Sequence, residues 1–355
     1  MILAFTFPAI LFGYLAGVFV DHQNLKKVLI VTNLLRALII FCLIFFVNSL
    51  IVLYTAVLLL AFVTLFFFPA EGSAIPALVR ERKDLIAANS LFTLTVQITL
   101  IAGFVVGGPA LAFLGEGGTL FVLALLFAVA LSLVWFLPNT IRSLEEREGI
   151  HSPLKTFIDG IVFFFKNRSV RDAVFFLTST QAVILVLATI TPGFVDKVLG
   201  LDVKLASVVL VAPAAFGMIL GSFGIGHLGH LFKERYLVNF GLFVVGADFL
   251  VLSLLETAII NKAVYLLAVL LIVLLGAATS FITVPTTTEL QSETPERFRG
   301  RTYGILGTFG SGVSVLPVLA AGALGDSLGI RTVLLALGVL TLIVALYRLK
   351  FNRYT

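Results

Sequence analysis

Long apolar runs separated by short polar loops occupy most of the chain. A helix that crosses the hydrocarbon core of a bilayer needs about 20 apolar residues, and its backbone groups are then satisfied internally. The sequence predicts eleven such spans, at about 3–20, 28–47, 50–70, 86–114, 119–137, 173–193, 205–226, 236–255, 263–284, 302–324 and 332–347. The longest polar stretch follows the fifth span. We therefore predict an N-terminal bundle over 1–137, a cytoplasmic linker over 138–172 and a C-terminal bundle over 173–355.

The linker contains an amphipathic segment. Its apolar residues recur at helical spacing, while Lys155, Asp159 and Lys166 face elsewhere. The apolar set is Leu154, Phe157, Ile158, Ile161 and Phe165. Such a pattern is typical of a helix that lies along a membrane surface.

Composition agrees with a protein that spans a membrane several times. Hydrophobic residues make up 60% of the 355 positions and charged residues 12%, whereas a typical soluble domain is about a quarter charged. This balance argues against a soluble enzyme, a disordered chain and a nucleic-acid-binding protein. The single cysteine, Cys42, cannot form an internal disulfide.

Basic residues concentrate in alternate loops. Of the 24 lysines and arginines, 19 fall in one set of loops, four in the opposite set, and Arg36 within a span. Basic residues are retained on the cytoplasmic side. We therefore expect a multi-pass protein of the bacterial inner membrane, with a cytoplasmic C-terminus and, given eleven spans, an external Met1.

The two halves of the sequence echo each other. Gly17-x-x-x-Asp21 after the first span matches Gly226-x-x-x-His230 after the seventh, at an offset of 209. Pro109 and Pro317 correspond at an offset of 208. Two landmarks at nearly one offset suggest duplicated helical bundles, a common architecture of secondary transporters.

Several motifs resemble those of the major facilitator superfamily. Gly17-Val18-Phe19-Val20-Asp21, followed by Lys26-Lys27-Val28-Leu29, is similar to the loop between the second and third helices of that family. Three further stretches resemble the branch that contains the enterobactin exporter and macrolide efflux proteins. They are Pro69-Ala70 with Ile75-Pro76-Ala77-Leu78-Val79 and Ala87-Ala88-Asn89-Ser90; Phe157-Ile158-Asp159-Gly160 with Lys166-Asn167-Arg168; and Gln291 with Thr294-Pro295 and Arg299-Gly300-Arg301.

This resemblance implies an all-α membrane fold with two pseudo-symmetric bundles. The family has twelve helices and the motifs place the first span at the second of them, so the first helix is expected to be missing. A wrongly placed or truncated start and a decayed copy are the two explanations. Asn24 stands where the loop motif usually has glycine, and the arginine common in the family's fourth helix has no match in 50–70.

Asp21 is the principal candidate for a gate. A carboxylate in a tight loop can accept hydrogen bonds from the N-terminus of a neighbouring helix. The resemblance implies that Gly17, Asp21 and Lys27, with Lys26, hold the outward-facing state through such a contact. The alternative is a basic loop that only sets topology. In the second copy, at Gly226 and His230, histidine replaces the acid, so we expect a weaker gate.

Two charges inside spans are candidates for coupling. Arg36 lies about nine residues into its span, roughly 13 Å deep at 1.5 Å per residue, and Asp248 lies near the middle of another. Buried charges are paired or functional, so Asp248 is either a proton carrier or a structural partner for another helix. By family analogy both spans are peripheral, which favours the structural interpretation slightly.

Polar residues on apolar spans are candidates for substrate binding. They are Tyr54, Asn89, Thr93, Gln97, Thr178, Gln181, Thr279 and Thr283. Asn89, Thr93 and Gln97 recur every four residues and share one helical face. The alternative is that these groups bond back to their own helix or across to a neighbour.

Small residues precede a proline in the fourth span. Gly103, Gly107 and Gly108-Pro109 allow close helix approach followed by a bend, with Pro317 as the counterpart in the second half. The resemblance implies the exporter motif that seals the bundles against leakage. Helix packing alone is the alternative.

We expect a secondary active transporter that exports a small amphiphilic compound, drug-like or siderophore-like, in exchange for protons. No phosphate-binding loop ending in Gly-Lys-Ser/Thr occurs, which argues against ATP as the energy source. His227 and His230 alone are weak evidence for a metal, so no cofactor, metal or catalytic residue is predicted. Lipid, substrate and protons are the expected partners of a monomer that binds no nucleic acid. A nutrient importer and a non-transporting scaffold or truncated relic are the alternatives.

Overall fold

The computed structural model describes residues 2–46, 49–79, 81–138, 153–198, 200, 210–255, 262–313 and 315–351. In these ranges the regular structure is helical. The α-helices are α1 (Ile2–Asp21), α2 (Leu25–Ile44), α3 (Leu50–Leu78), α4 (Arg82–Trp135), α5 (Pro153–Lys166), α6 (Arg168–Gly193), α7 (Ala212–Leu228), α8 (Glu234–Leu255), α9 (Lys262–Glu293), α10 (Arg299–Val313), α11 (Val315–Leu328) and α12 (Ile330–Phe351).

The predicted spans fall on these helices, although α4 contains two of them and α10 and α11 share one. Within the described ranges, nine segments are long and apolar enough to cross a bilayer, and two shorter apolar helices cover Pro8–Asp21 and Ala212–Leu228. Each of the eleven predicted runs overlaps one of these eleven segments. The all-α membrane fold predicted from hydropathy is therefore confirmed. Helices suit this environment because each helix satisfies the hydrogen bonds of its own backbone groups in lipid.

The break between the fourth and fifth predicted spans lies at Gly115. Its φ of 66° and ψ of −176° interrupt α4, between the predicted runs 86–114 and 119–137. The sequence predicts a bend at Gly108-Pro109, whereas α4 continues through Pro109 and its non-helical backbone lies at Gly115. Glycine can adopt a positive φ without a steric penalty, and this explains why the interruption falls at Gly115.

Gly115→Ala is expected to lower stability by about 1 kcal/mol, because an alanine side chain strains a backbone with positive φ. Nothing in the described structure crowds a Cβ at this site, so the effect comes from the backbone alone. Thermal unfolding of the variant in detergent measures it. Gly117→Ala is the control, because its Cβ would have only an ordinary contact, 3.9 Å from Ile44; equal shifts for both variants would contradict the assignment.

The chain divides into two compact units. The first comprises Met1–Arg80, Ala102–Val174 and Leu290–Gly312, and the second comprises Glu81–Ile101, Phe175–Glu289 and Val313–Thr355. Because both units take residues from both sides of 138–172, the division into 1–137, 138–172 and 173–355 stays a prediction.

In the first unit, α3 packs against α1 and α2. A buried cluster of Val20, Val28, Leu29, Ala70 and Ala74 joins these helices. In the second unit, α8 packs along α12, where Gly246 and Gly338 each lie against the other's helix. Neither glycine has room for a Cβ. The absence of side chains at these two positions allows the two backbones to approach closely.

The amphipathic segment of the linker forms α5. Within the predicted apolar set, Phe157 and Ile161 are partly buried, whereas Ile158 and Phe165 are 49% and 61% exposed. The predicted apolar set is therefore divided between a face that packs on protein and one that does not. The side chain of Leu154 and residues 139–152 lie outside the described part of the chain.

Candidate functional site

The carboxylate of Asp21 lies against the N-terminus of α10. Both carboxylate oxygens accept backbone hydrogen bonds, one from the N–H of Gly300 and the other from the N–H of Arg301 at 3.1 Å. The first N–H groups of a helix have no partner within the helix and form the positive end of its dipole. The structure thus shows the type of contact that the sequence predicted for Asp21, whereas its role as a gate stays a prediction.

A salt bridge reinforces this contact. Arg301 Nε lies 3.0 Å from Asp21 Oδ2, and the two side chains are 8% and 3% exposed. A buried ion pair is favourable only when further hydrogen bonds satisfy its atoms, and the two backbone N–H groups of α10 supply them to the carboxylate. Asp21 therefore joins α1 to a helix start 280 residues later in the chain.

Glycines bring α1 and α10 together next to Asp21. A Cβ on Gly17 would overlap the carbonyl group of Gly300, and a Cβ on Gly304 would lie 2.7 Å from Gly13 O. Gly13 and Gly17, spaced by one helical turn, face Gly300 and Gly304, spaced likewise. The absence of side chains here allows Asp21 to reach the N-terminus of α10.

Helix α5 packs on the same contact. The Tyr14 hydroxyl donates to Phe157 O at 2.6 Å, and Gly160 lies so close to Tyr14 and Arg301 that a Cβ there would overlap both side chains. Phe163 stacks on Phe298 with the ring centroids 4.4 Å apart. These interactions fix α5 beside α1 and the start of α10.

The two predicted basic gate residues lie close to Asp21 in sequence but have other contacts. Lys26 Nζ donates to Leu137 O at 2.7 Å, just beyond the end of α4. Lys27 is exposed, and its backbone N–H donates to Asn24 Oδ1 at 3.2 Å. Asn24, the residue that departs from the loop motif, therefore caps α2. The base paired with Asp21 is Arg301, which the sequence analysis quoted only as part of a motif.

The second copy of the glycine motif packs in a related way. A Cβ on Gly226 would lie 3.2 Å from Ser90 Cβ, within the second unit. The offset from Gly17 to Gly226 is 209, and that from Ser90 to Gly300 is 210, so the two contacts correspond across the predicted repeat. The side chain of His230 lies outside the described part of the structure.

Arg36 is held on one face of α3. It is 8% exposed, donates to Thr64 Oγ1 at 3.1 Å, and its guanidinium carbon lies 4.0 Å from the centre of the Phe67 ring. These are structural contacts of the kind that the peripheral interpretation predicts, including a cation–π interaction. Its coupling role stays a prediction.

Asp248 is buried in α8. The residue is 3% exposed, and neither carboxylate oxygen has a hydrogen-bond partner among the described residues. The structural interpretation requires a polar partner for Asp248 on another helix, and no such partner lies among the described residues. The proton-carrier interpretation of Asp248 remains untested.

Most predicted binding residues lie in the second unit, and several make the local hydrogen bonds that the alternative interpretation describes. The hydroxyls of Thr178, Thr279 and Thr283 donate to carbonyls of their own helices at 2.7–3.1 Å. Asn89, 1% exposed, donates to Thr288 Oγ1 at 3.1 Å. The binding roles stay predictions.

Asn89, Thr93 and Gln97 lie on one face of α4, as their four-residue spacing predicts. Asn89 and Gln97 are buried and Thr93 is partly buried. Gln181 in α6 is exposed, and Tyr54 is an exposed residue of the first unit. The structure thus brings Asn89, Thr93 and Gln97 onto one side of α4 and places Tyr54 in a different unit.

The predicted packing glycines of α4 have more open surroundings than the glycines of α1. Among the described atoms, none lies within 4 Å of a Cβ built on Gly103 or Gly107. The side-chain surroundings of position 108 are not described, and Pro317 is exposed near the start of α11. A role of these residues in sealing the bundles stays a prediction.

A buried polar cluster that the sequence analysis missed lies beside the Asp21 contact. Gln291 Nε2 donates to the Tyr303 hydroxyl at 2.8 Å and approaches Gly72 O at 3.5 Å. The Tyr303 ring fills the space where a Gly72 side chain would lie. Glu71, the neighbour of Gly72, was missed because the predicted span ended at 70, whereas α3 continues through Pro69 and Pro76 to Leu78.

In the described part of the chain, no group of three His, Cys, Asp or Glu side chains lies close enough together to hold a metal ion. The described residues offer instead one buried ion pair, Asp21 with Arg301, and its contact with the start of α10.

Comparison with known proteins identifies relatives over nearly the whole chain. The family model described as Major Facilitator Superfamily matches residues 1–317. The MFS-type transporter YfmI of Bacillus subtilis is 27% identical over 342 residues, covering 93% of this chain and 82% of YfmI. The multidrug efflux pump Tap of Mycolicibacterium fortuitum is 25% identical over 363 residues, covering 95% of this chain and 82% of Tap.

Solved structures share the fold at lower identity. The fucose:proton symporter FucP of E. coli superimposes with a TM-score of 0.75 at 15% identity, covering 97% of this chain and 88% of FucP. The human organic anion transporter MFSD10 gives a TM-score of 0.73 at 15% identity, covering 97% of this chain and 82% of MFSD10.

Proposed function

Because the chain belongs to the major facilitator superfamily, we propose that this membrane transporter exports a small amphiphilic compound, drug-like or siderophore-like, in exchange for protons. Transport proceeds by alternating access, in which the protein exposes a site to one side of the membrane and then to the other. The energy comes from the proton gradient, without a cofactor or ATP.

The contact of Asp21 with the N-terminus of α10 carries the proposal. It joins two helices that lie on opposite sides of the linker in the sequence, and it consists of a few polar interactions around one carboxylate. Such a contact can be broken and remade as a unit during a transport cycle. We assign to it the gate that holds the outward-facing state, with Gly17 allowing the approach of the helices.

Export is favoured over import by the relatives. Tap is described as a multidrug efflux pump, and its similarity extends over 95% of this chain. The structural neighbours, at 15% identity, support only the fold. The distribution of basic residues supports a cytoplasmic C-terminus in a bacterial inner membrane, with the gate on the cytoplasmic side.

Expression of the chain is expected to lower the accumulation of ethidium severalfold in bacterial cells that lack their own efflux pumps. A protonophore should restore accumulation, because it removes the driving force. Cells with an empty vector serve as the control, and immunoblotting of membranes checks expression. Increased accumulation of a test compound would indicate an importer, and no change across ethidium and siderophore probes would favour the non-transporting scaffold.

A further inference from the structure

Glu71 is an acidic residue inside a membrane-spanning helix, and no other acidic residue occurs in α3. It lies seven residues before Leu78, which is about 10 Å from the helix end at 1.5 Å per residue. Ionisable residues at such depth are unfavourable unless they are paired or functional. The predicted site residues do not include Glu71.

Arg36 of α2 packs on the face of α3 that carries Glu71. Thr64, Phe67 and Glu71 are spaced by three and four residues and therefore lie on one side of the helix. Arg36 is held there by its hydrogen bond to Thr64 and its stacking on Phe67, and its charge acts on Glu71. Since these contacts position Arg36 without Glu71, the arginine supplies a fixed positive charge beside the carboxyl group.

The carboxyl group of Glu71 is not fixed in an ion pair with any described residue. Within the described residues it has no basic partner at salt-bridge distance, unlike Asp21, whose carboxylate is bound by Arg301 and two backbone N–H groups. Glu71 is also partly exposed, whereas Asp248 is 3% exposed with both oxygens buried. A proton carrier must exchange protons with water, and this requirement favours Glu71 over Asp248.

Glu71 is connected to the start of α10. The adjacent Gly72 packs on the Tyr303 ring, and Gln291 holds both Tyr303 and Gly72. Tyr303 lies two residues after Arg301, the partner of Asp21. Glu71 is therefore linked through one side-chain layer to the helix start that Asp21 caps.

Among the described residues, the charged and titratable groups that act on Glu71 come from two helices. α2 contributes Arg36, and α10 contributes Tyr303, which is itself close to Arg299. On α1, Asp21 is paired with Arg301 and the Tyr14 hydroxyl with Phe157 O. Arg36 is thus the dominant charge acting on Glu71.

We propose that Glu71 binds and releases the coupling proton, and that its protonation weakens the attraction of Arg36 and shifts the Gly72–Tyr303–Gln291 contact that supports the start of α10. The step is a simple protonation of a carboxylate, with the proton taken from one side of the membrane and released to the other. This inference rests on the proposed function, since it names the residue that couples transport to protons.

The test uses the purified full chain in proteoliposomes with ethidium as the probe. Glu71→Gln is expected to abolish accumulation driven by a pH gradient, while counterflow of ethidium at equal pH continues. Glu71→Asp should keep coupling with a shifted pH profile, and it keeps the test valid if the glutamine variant does not fold. Glu81→Gln, an exposed acid 2.9 Å from Lys83, is the control and should behave as wild type.

Three results would overturn the proposal: gradient-driven accumulation by Glu71→Gln at the wild-type level, loss of counterflow together with accumulation by a folded Glu71→Gln, or an unchanged pH profile in Glu71→Asp. Loss of coupling in Asp248→Asn but not in Glu71→Gln would assign the proton to Asp248 and also overturn it. A wild-type chain that moves no ethidium in either assay would count against the proposed function itself.

A second readout does not depend on a transported compound. Hydrogen exchange of the amides at the start of α10, corrected for intrinsic exchange, should change with pH in the wild type and lose this change in Glu71→Gln. An identical pH response in the two proteins would contradict the link between Glu71 and α10, even if no substrate is known.

Discussion

Asp21→Asn is expected to reduce transport by a factor of about 100 to 4,000, because it leaves the buried Arg301 without its counter-charge. Removing one partner of a buried ion pair costs about 3–5 kcal/mol, and each 1.4 kcal/mol is about tenfold in an equilibrium constant. Asparagine can still accept one hydrogen bond, but it cannot satisfy both backbone N–H groups and Arg301. The state that contains the contact therefore loses most of its population.

Ethidium efflux and hydrogen exchange measure this effect together. The amides of Gly300 and Arg301 are protected by Asp21 in the wild type and should exchange faster in the variant. Asp84→Asn, the same substitution at an exposed carboxylate, serves as the control. Unchanged efflux in Asp21→Asn would refute the role of Asp21 as a gate.

A double variant separates the loss of the ion pair from the cost of leaving one buried charge without its partner. Asp21→Asn combined with Arg301→Met removes the uncompensated charge, so part of the stability of the α1–α10 contact should return. Transport should remain low, because the ion pair that distinguishes the two states is absent. Full transport by the double variant would show that the pair is dispensable.

Gly17→Val is expected to abolish transport and to destabilise the protein. The first added carbon would already overlap the carbonyl group of Gly300, and backbone at this position cannot move aside as a flexible side chain would. Overpacking of a tight contact costs about 1–3 kcal/mol, and the two helices must separate, which also removes Asp21 from the start of α10. Thermal unfolding and ethidium efflux are the measurements.

Gly103→Val is the matched control for Gly17→Val. It makes the same substitution in an apolar helix, at a site where no described atom lies within 4 Å of a Cβ. We expect near-normal thermal stability. Equal damage at both positions would mean that the effect comes from helix propensity or lipid contacts, and not from the approach of α1 to α10.

Local properties of the sequence were sufficient to predict the membrane-spanning helices. The length of an apolar run determines whether a helix can cross a bilayer, so each predicted run corresponds to an observed helix segment. The acceptor chemistry of Asp21 was also predictable, since a carboxylate suits an uncapped helix start. The amphipathic period of α5 predicted a helix, but not which of its apolar residues pack on protein.

Tertiary structure alone decided which distant groups meet. The partner of Asp21 is Arg301, 280 residues away, while the nearby Lys26 and Lys27 have other contacts, because the approach of α1 to α10 depends on four glycines in two helices. Gly17 and Gly103 look alike in sequence, yet among the described atoms Gly17 faces another backbone and Gly103 does not. Glu71 lies inside α3 because the helix continues past Pro69 where it packs against Tyr303. Hydropathy follows from single segments, whereas burial and pairing depend on which segments pack together.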